Sequence, residues 1–184
     1  MIVYLHGFNS SPQSHKAQVL QRYMRERGLE ADFACPPLPP EPGAAVRAIR
    51  DLVGHRAVCY VGSSLGGFYA TYLVETQGGT AVLINPAIEP HVGLRTYLGL
   101  QRNLHTGKPY ELTQAHLDQW RELYVAHITA QRYLLLLETG DEVLDYRQAV
   151  KRYAGAEQIV IEGGDHSLRS FPEHLATILR FAGY

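Results

Sequence analysis

A chain of 184 residues, 46% of them apolar, is long enough for one hydrophobic core and too short for two ordinary domains. With a net charge of −1 and scattered Lys and Arg it has no basic field for nucleic acid, and no apolar run approaches the ~20 residues of a membrane span. The start, Met1-Ile2-Val3-Tyr4-Leu5, lacks the basic region and small-residue site of a secretory leader, so the expected setting is cytoplasmic with neither nucleic acid nor membrane as partner.

Ile2 to Leu5 reads as a short buried strand, followed by a Gly-Phe-Asn-Ser-Ser-Pro loop and a helix from about Ser14 that Gly28 ends. Glu30 to Ala34 is a weaker strand. Between Cys35 and Pro42 the prolines allow neither helix nor ladder, which predicts a stiff connector. Val46, Ile49 and Val53 mark a second helix before the apolar run Ala57 to Val61. Further strands are expected at Thr80 to Ile84, Tyr133 to Glu138 and Gln158 to Glu162, with a helix around Tyr146 to Tyr153 and a closing one from Phe171 to Ala182. Strands alternate with helices, and runs such as Tyr133-Leu134-Leu135-Leu136-Leu137 suit a strand buried on both faces. The expected fold is a single α/β domain: a doubly wound sheet of about six parallel strands with helices on both faces. Residues 86–131 exceed what one crossover helix needs, so a cap-like insertion of one or two short helices is expected there, using Tyr97, Leu98, Leu117, Trp120 and Tyr124.

Chemistry enters at Gly62-Ser63-Ser64-Leu65-Gly66, a G-x-S-x-G pentapeptide between a strand pattern and a helical one. A strand reversing sharply into a helix strains its middle residue and needs neighbours without a Cβ. Ser64 would then project its hydroxyl above the strand ends. A serine nucleophile needs a base, and the base an orienting acid. Asp141 follows the strand ending at Glu138, and His166 follows Gly163-Gly164-Asp165 after the last strand, so both fall at the same sheet edge as Ser64. An oxyanion would be held by the backbone N–H groups of Leu65 and Phe8. His6 is expected to orient the first loop, and His174 to be structural. Cys35 and Cys59 make neither a disulfide framework nor a metal quartet, and no metal or other cofactor is implied.

Leu5-His6-Gly7-Phe8, Gly62 to Gly67, Thr139-Gly140-Asp141-Glu142-Val143-Leu144-Asp145-Tyr146 and Gly163-Gly164-Asp165-His166 together resemble the small YqiA-type esterases of the α/β-hydrolase superfamily over essentially the whole chain. That resemblance implies hydrolysis of esters or acyl thioesters, acyl-CoA among them, with Ser64 as nucleophile, Asp141 as acid and His166 as base. One departure from the larger superfamily members is expected: Ile2 to Leu5 already leads into the oxyanion loop, so their two opening antiparallel strands are expected to be absent. A non-catalytic binder of small ligands, or an acyltransferase or perhydrolase on the same triad, are the alternatives. The pocket is expected to be bordered by Phe8, Asn9, Leu65, Leu144, Tyr97 and Trp120, and to favour acetyl to hexanoyl chains.

Overall fold

The computed structural model describes all of Met1–Tyr184. Eight strands are formed: β1 (Ile2–Leu5), β2 (Phe33–Ala34), β3 (Cys59–Ser63), β4 (Thr80–Ile84), β5 (Gly99–Arg102), β6 (Pro109–Leu112), β7 (Tyr133–Glu138) and β8 (Glu157–Ile161). The helices are α1 (His15–Arg25), α2 (Pro42–Val53), α3 (Leu65–Gln77), α4 (Pro90–Gly93), α5 (Gln114–Glu122), α6 (Tyr146–Arg152) and α7 (Leu175–Phe181). Six strands form one sheet in the order β2-β1-β3-β4-β7-β8, with every pairing parallel. The order reverses at β1, which places the loops after β1 and β3 beside each other at the carboxyl edge.

Strand alternation sends side chains to two separate cores. On one face Val3, Leu5, Leu135 and Leu137 pack with α2, α3 and α6; on the other Ile2, Tyr4, Leu134 and Leu136 pack with α1 and α7. Burial on both faces explains the uninterrupted apolar strands, because a parallel sheet exposes neither side. The weak strand after Gly28 shrinks to two residues: Glu30–Asp32 form a 3-10 turn, and only Phe33 and Ala34 pair with β1. Polar Glu30 and Asp32 have no apolar face to offer a ladder, so pairing begins where Phe33 does.

Residues 86–131 hold more than the expected helices. Besides α4 and α5 they contain an antiparallel hairpin, β5 with β6, in register Leu100↔Glu111 and Arg102↔Pro109. Its Asn103 carboxamide oxygen accepts from the His105 and Thr106 N–H groups, which starts the turn that Gly107 completes at φ 69. Helix α5 packs against α4 and α2. Trp120 and Leu117 are buried in the same core as α2 and α3, and the indole N–H donates to Tyr69 Oη at 2.8 Å.

Candidate active site

Ser64 stands between β3 and α3 with φ 53 and ψ −119. Its strain is held by backbone bonds on both sides: Ser64 N–H donates to Ile84 O at 3.0 Å, and Ser64 O accepts from Gly67 N–H and Ala87 N–H. The flanking glycines are demanded by closeness. A Cβ on Gly62 would lie 2.5 Å from Gly66 O, and one on Gly66 would lie 1.9 Å from Leu5 O. Gly7 of the first loop packs against the serine, where an added Cβ would sit 3.4 Å from Ser64 Cβ and 3.9 Å from Oγ.

Asp141 and His166 are brought together, with His166 Nδ1 2.8 Å from Asp141 Oδ2. The other carboxylate oxygen accepts from Val143 N–H at 2.9 Å and Leu144 N–H at 2.8 Å. Burial alone would raise the Asp141 pKa, but the bonds from His166 and from these two amides outweigh it and hold the carboxyl below its usual range. Asp141 is therefore an ionised acceptor that fixes the imidazole, leaving Nε2 for other work. Glu142 stands apart from this pair and accepts the His166 backbone N–H at 3.0 Å.

The loop carrying His166 is anchored by Glu138, a rival acid set aside in favour of Asp141 because it lies on the strand, and by Asn85, neither of which the sequence marks for this role. Glu138, 1% exposed, accepts from Asp165 N–H, Arg169 N–H, Ser170 N–H and Ser170 Oγ–H at 2.7 to 3.0 Å. Desolvation would raise its pKa, yet these four bonds bring it below the ordinary value. Asn85 donates from Nδ2 to the carbonyls of Asp165 and His166, while its Oδ1 accepts Glu138 N–H. Gly164 has φ 71 and leaves no room for a Cβ, which would fall 1.9 Å from Glu138 Oε2. The only traces in the sequence were an acid at a strand end and an Asn-Pro after another.

The N–H of Leu65 opens α3 and has no intrahelical acceptor, and the N–H of Phe8 also meets none. His6 spends both ring nitrogens: Nδ1 donates to Gly7 O at 3.2 Å and Nε2 accepts Leu38 N–H at 3.3 Å. Burial lowers its pKa, so it is a neutral strut tying the proline connector to the first loop. His174 differs from the expectation of a bonded structural residue, since its buried Nε2 has no partner.

Ser64 and His166 line one cleft of about 1380 Å³. Its walls are of two kinds. Phe8, Leu65, Ile88, Leu94, Tyr97 and Leu144 make an apolar wall, with Phe8 and Tyr97 stacked edge to face at 5.7 Å. Tyr4, Ser14, His15, Lys16 and Ser167 make a polar one, in which Lys16 Nζ donates to Ser167 O at 2.7 Å and burial pushes the ammonium pKa down to about 8. Two pocket assignments change. Trp120 is not in the wall, because it is consumed in the core beneath α5. Asn9 borders the cleft, but Nδ2 donates to Gln101 Oε1 and Oδ1 accepts from Tyr110 Oη, so its amide is already spent on the hairpin. Trp120, on which part of the expected acetyl-to-hexanoyl limit rested, does not close the acyl end of the cleft.

Solved structures share this architecture. α/β-Hydrolase domain-containing protein 10 from mouse superposes with a TM-score of 0.73 at 15% identity, covering 97% of this chain and 88% of its own. Est1E from Butyrivibrio proteoclasticus, solved with bound ferulic acid, gives 0.67 at 14% identity over 98% and 86%. The chain thus has the α/β-hydrolase fold. It belongs to UPF0227: the model described as "Uncharacterised protein family (UPF0227)" matches residues 1–183, and a UPF0227 protein of Serratia proteamaculans (strain 568) is 27% identical over 98% of both chains. The likeness to YqiA-type proteins is borne out with it. At 15% and 14% identity the mouse and Butyrivibrio structures show the fold alone.

Proposed function

We propose that the protein is a serine hydrolase cleaving carboxylic esters or acyl thioesters through an acyl-enzyme. The observation that carries this is the shared cleft of a strained Ser64 and a His166 already paired with ionised Asp141. Ser64 Oγ attacks the carbonyl carbon while its proton passes to His166 Nε2. Asp141 stabilises the imidazolium, and the N–H groups of Leu65 and Phe8 receive the oxyanion. Collapse breaks the bond to the leaving oxygen or sulfur, which takes the proton from His166. Water then repeats the sequence, releasing the acid and restoring Ser64. The apolar wall suits an acyl chain, each buried CH₂ adding ~0.8 kcal/mol of binding until contact ends.

A p-nitrophenyl ester series from acetyl to palmitoyl, with matched thioesters and an added alcohol as competing acceptor, tests the reading. Free acid should be the main product, and kcat/KM should continue to rise beyond hexanoyl. No turnover of any member, or acyl transfer dominating over hydrolysis, would contradict it.

A further inference from the structure

Nine large apolar side chains are exposed in the molecule, and five of them, Val92, Tyr97, Leu98, Leu100 and Leu104, lie within thirteen residues of the insertion. A sixth, Val143, is on the loop that carries Asp141, and Val92, Tyr97, Leu104 and Val143 also line the cleft. The apolar patch is therefore continuous with the cleft mouth. Leu100 and Leu104 are 80% and 81% exposed.

Charge singles out the same segment. From Pro90 to Tyr110 there is no Asp or Glu, whereas Arg95, Arg102 and Lys108 are all exposed, with His91 and His105 beside them. The acids bordering the patch are Glu89 before it, Glu111 across the hairpin from Leu100, and Glu142 and Asp145 next to Val143. The hairpin is also firmly mounted. Asn103 Nδ2 donates to Ser10 O at 2.7 Å and Leu104 N–H to Asn9 O at 2.8 Å, in addition to the bonds through Asn9. On β5 the inward Gln101 takes part in this anchoring while Leu100 and Arg102 face outwards.

We infer that the outer face of residues 92–108 docks on an anionic lipid surface, with the leucines entering the headgroup layer and the cations meeting its negative charge. Exposed leucines among cations fit a headgroup layer, where apolar burial and cationic attraction add. A protein partner fits less well, because three cations with no acid among them from Pro90 to Tyr110 suit negative headgroups, whereas the core of a protein interface is depleted in charged residues. The composition of the whole chain concealed this surface, since a net charge of −1 averages it away.

Docking is separable from catalysis, so it is measured with full-length Ser64→Ala as well as the native chain. Both are floated with vesicles of phosphatidylcholine alone and of phosphatidylcholine with about one third phosphatidylglycerol. Both chains should float with the anionic vesicles at low salt, not with the neutral ones, and should be released at about 0.5 M salt. Arg95→Glu/Leu100→Ser/Lys108→Glu changes only exposed side chains outside the cleft lining. It should weaken partitioning at least about tenfold while leaving the thermal midpoint and turnover of a soluble ester unchanged. A native chain that stays unbound in anionic vesicles overturns the inference and leaves the face to a protein partner. Equal flotation of the triple variant overturns it as well.

Discussion

Asp141 has three acceptor contacts and a single donor of chemical consequence, His166, so substitutions there separate geometry from charge. Asp141→Asn keeps an oxygen for the Val143 and Leu144 amides but turns an N–H₂ towards His166 Nδ1, which favours the wrong tautomer. Its kcat is expected to fall by about three to four orders of magnitude, against a much smaller loss for Glu142→Gln, which retains an acceptor for the His166 backbone. Steady-state kinetics on the two purified variants checks the ranking. Gly66→Ala should fail to accumulate as folded protein, because its Cβ would overlap Leu5 O. Ser64, Asp141 and His166 were legible because strand ends and chain order place them at one edge. The anchoring roles of Glu138 and Asn85 were not, since their partners lie 27 to 81 residues away and a strand-end acid or an Asn-Pro pair does not point to them.

Among the elements, the six strands of the sheet could be read from apolar periodicity, while the hairpin could not. Gly99-Leu100-Gln101-Arg102 has neither β-branched residues nor an apolar stripe, and it is held by Asn9, Gln101, Asn103 and Tyr110 instead of by core burial. The same bonds make the hairpin a support for the loop that carries Phe8. Asn9 itself has φ 53, which Asn tolerates and glycine adopts freely. Asn9→Gly therefore preserves the backbone and removes both side-chain bonds. Its kcat should drop about ten- to a hundredfold with little change in KM, as expected when a positioned oxyanion donor is loosened. Unaltered kcat in the folded variant would show that the hairpin does not position this loop. Trp120 carries a different lesson: apolar residues of an insertion can be read as buried, but not in which core they are buried.

Across the molecule, the two carboxylates that organise the site also tie stability to pH. Asp141 and Glu138 both have native pKa values below their ordinary ones. Below its ordinary pKa an unfolded carboxyl takes up a proton that the folded group still refuses. The stabilisation is thus complete above the unfolded value and disappears as pH falls through the folded one. Glu138→Gln leaves buried N–H groups facing an amide, and is expected to cost about 2 kcal/mol near neutrality and to flatten the acid side of the stability curve. Denaturant titrations of both proteins at several pH values measure this.

That an activated serine in a shared cleft with the Asp141–His166 pair drives acyl chemistry is tested most directly by covalent labelling. The native chain is treated with a fluorophosphonate and the modified residue located by peptide mass spectrometry. One adduct on Ser64 is expected. Labelling should be lost in Ser64→Ala, strongly slowed in His166→Ala and retained in Ser63→Ala. An unlabelled native protein, or an adduct on Ser63 or another residue, would contradict the assignment.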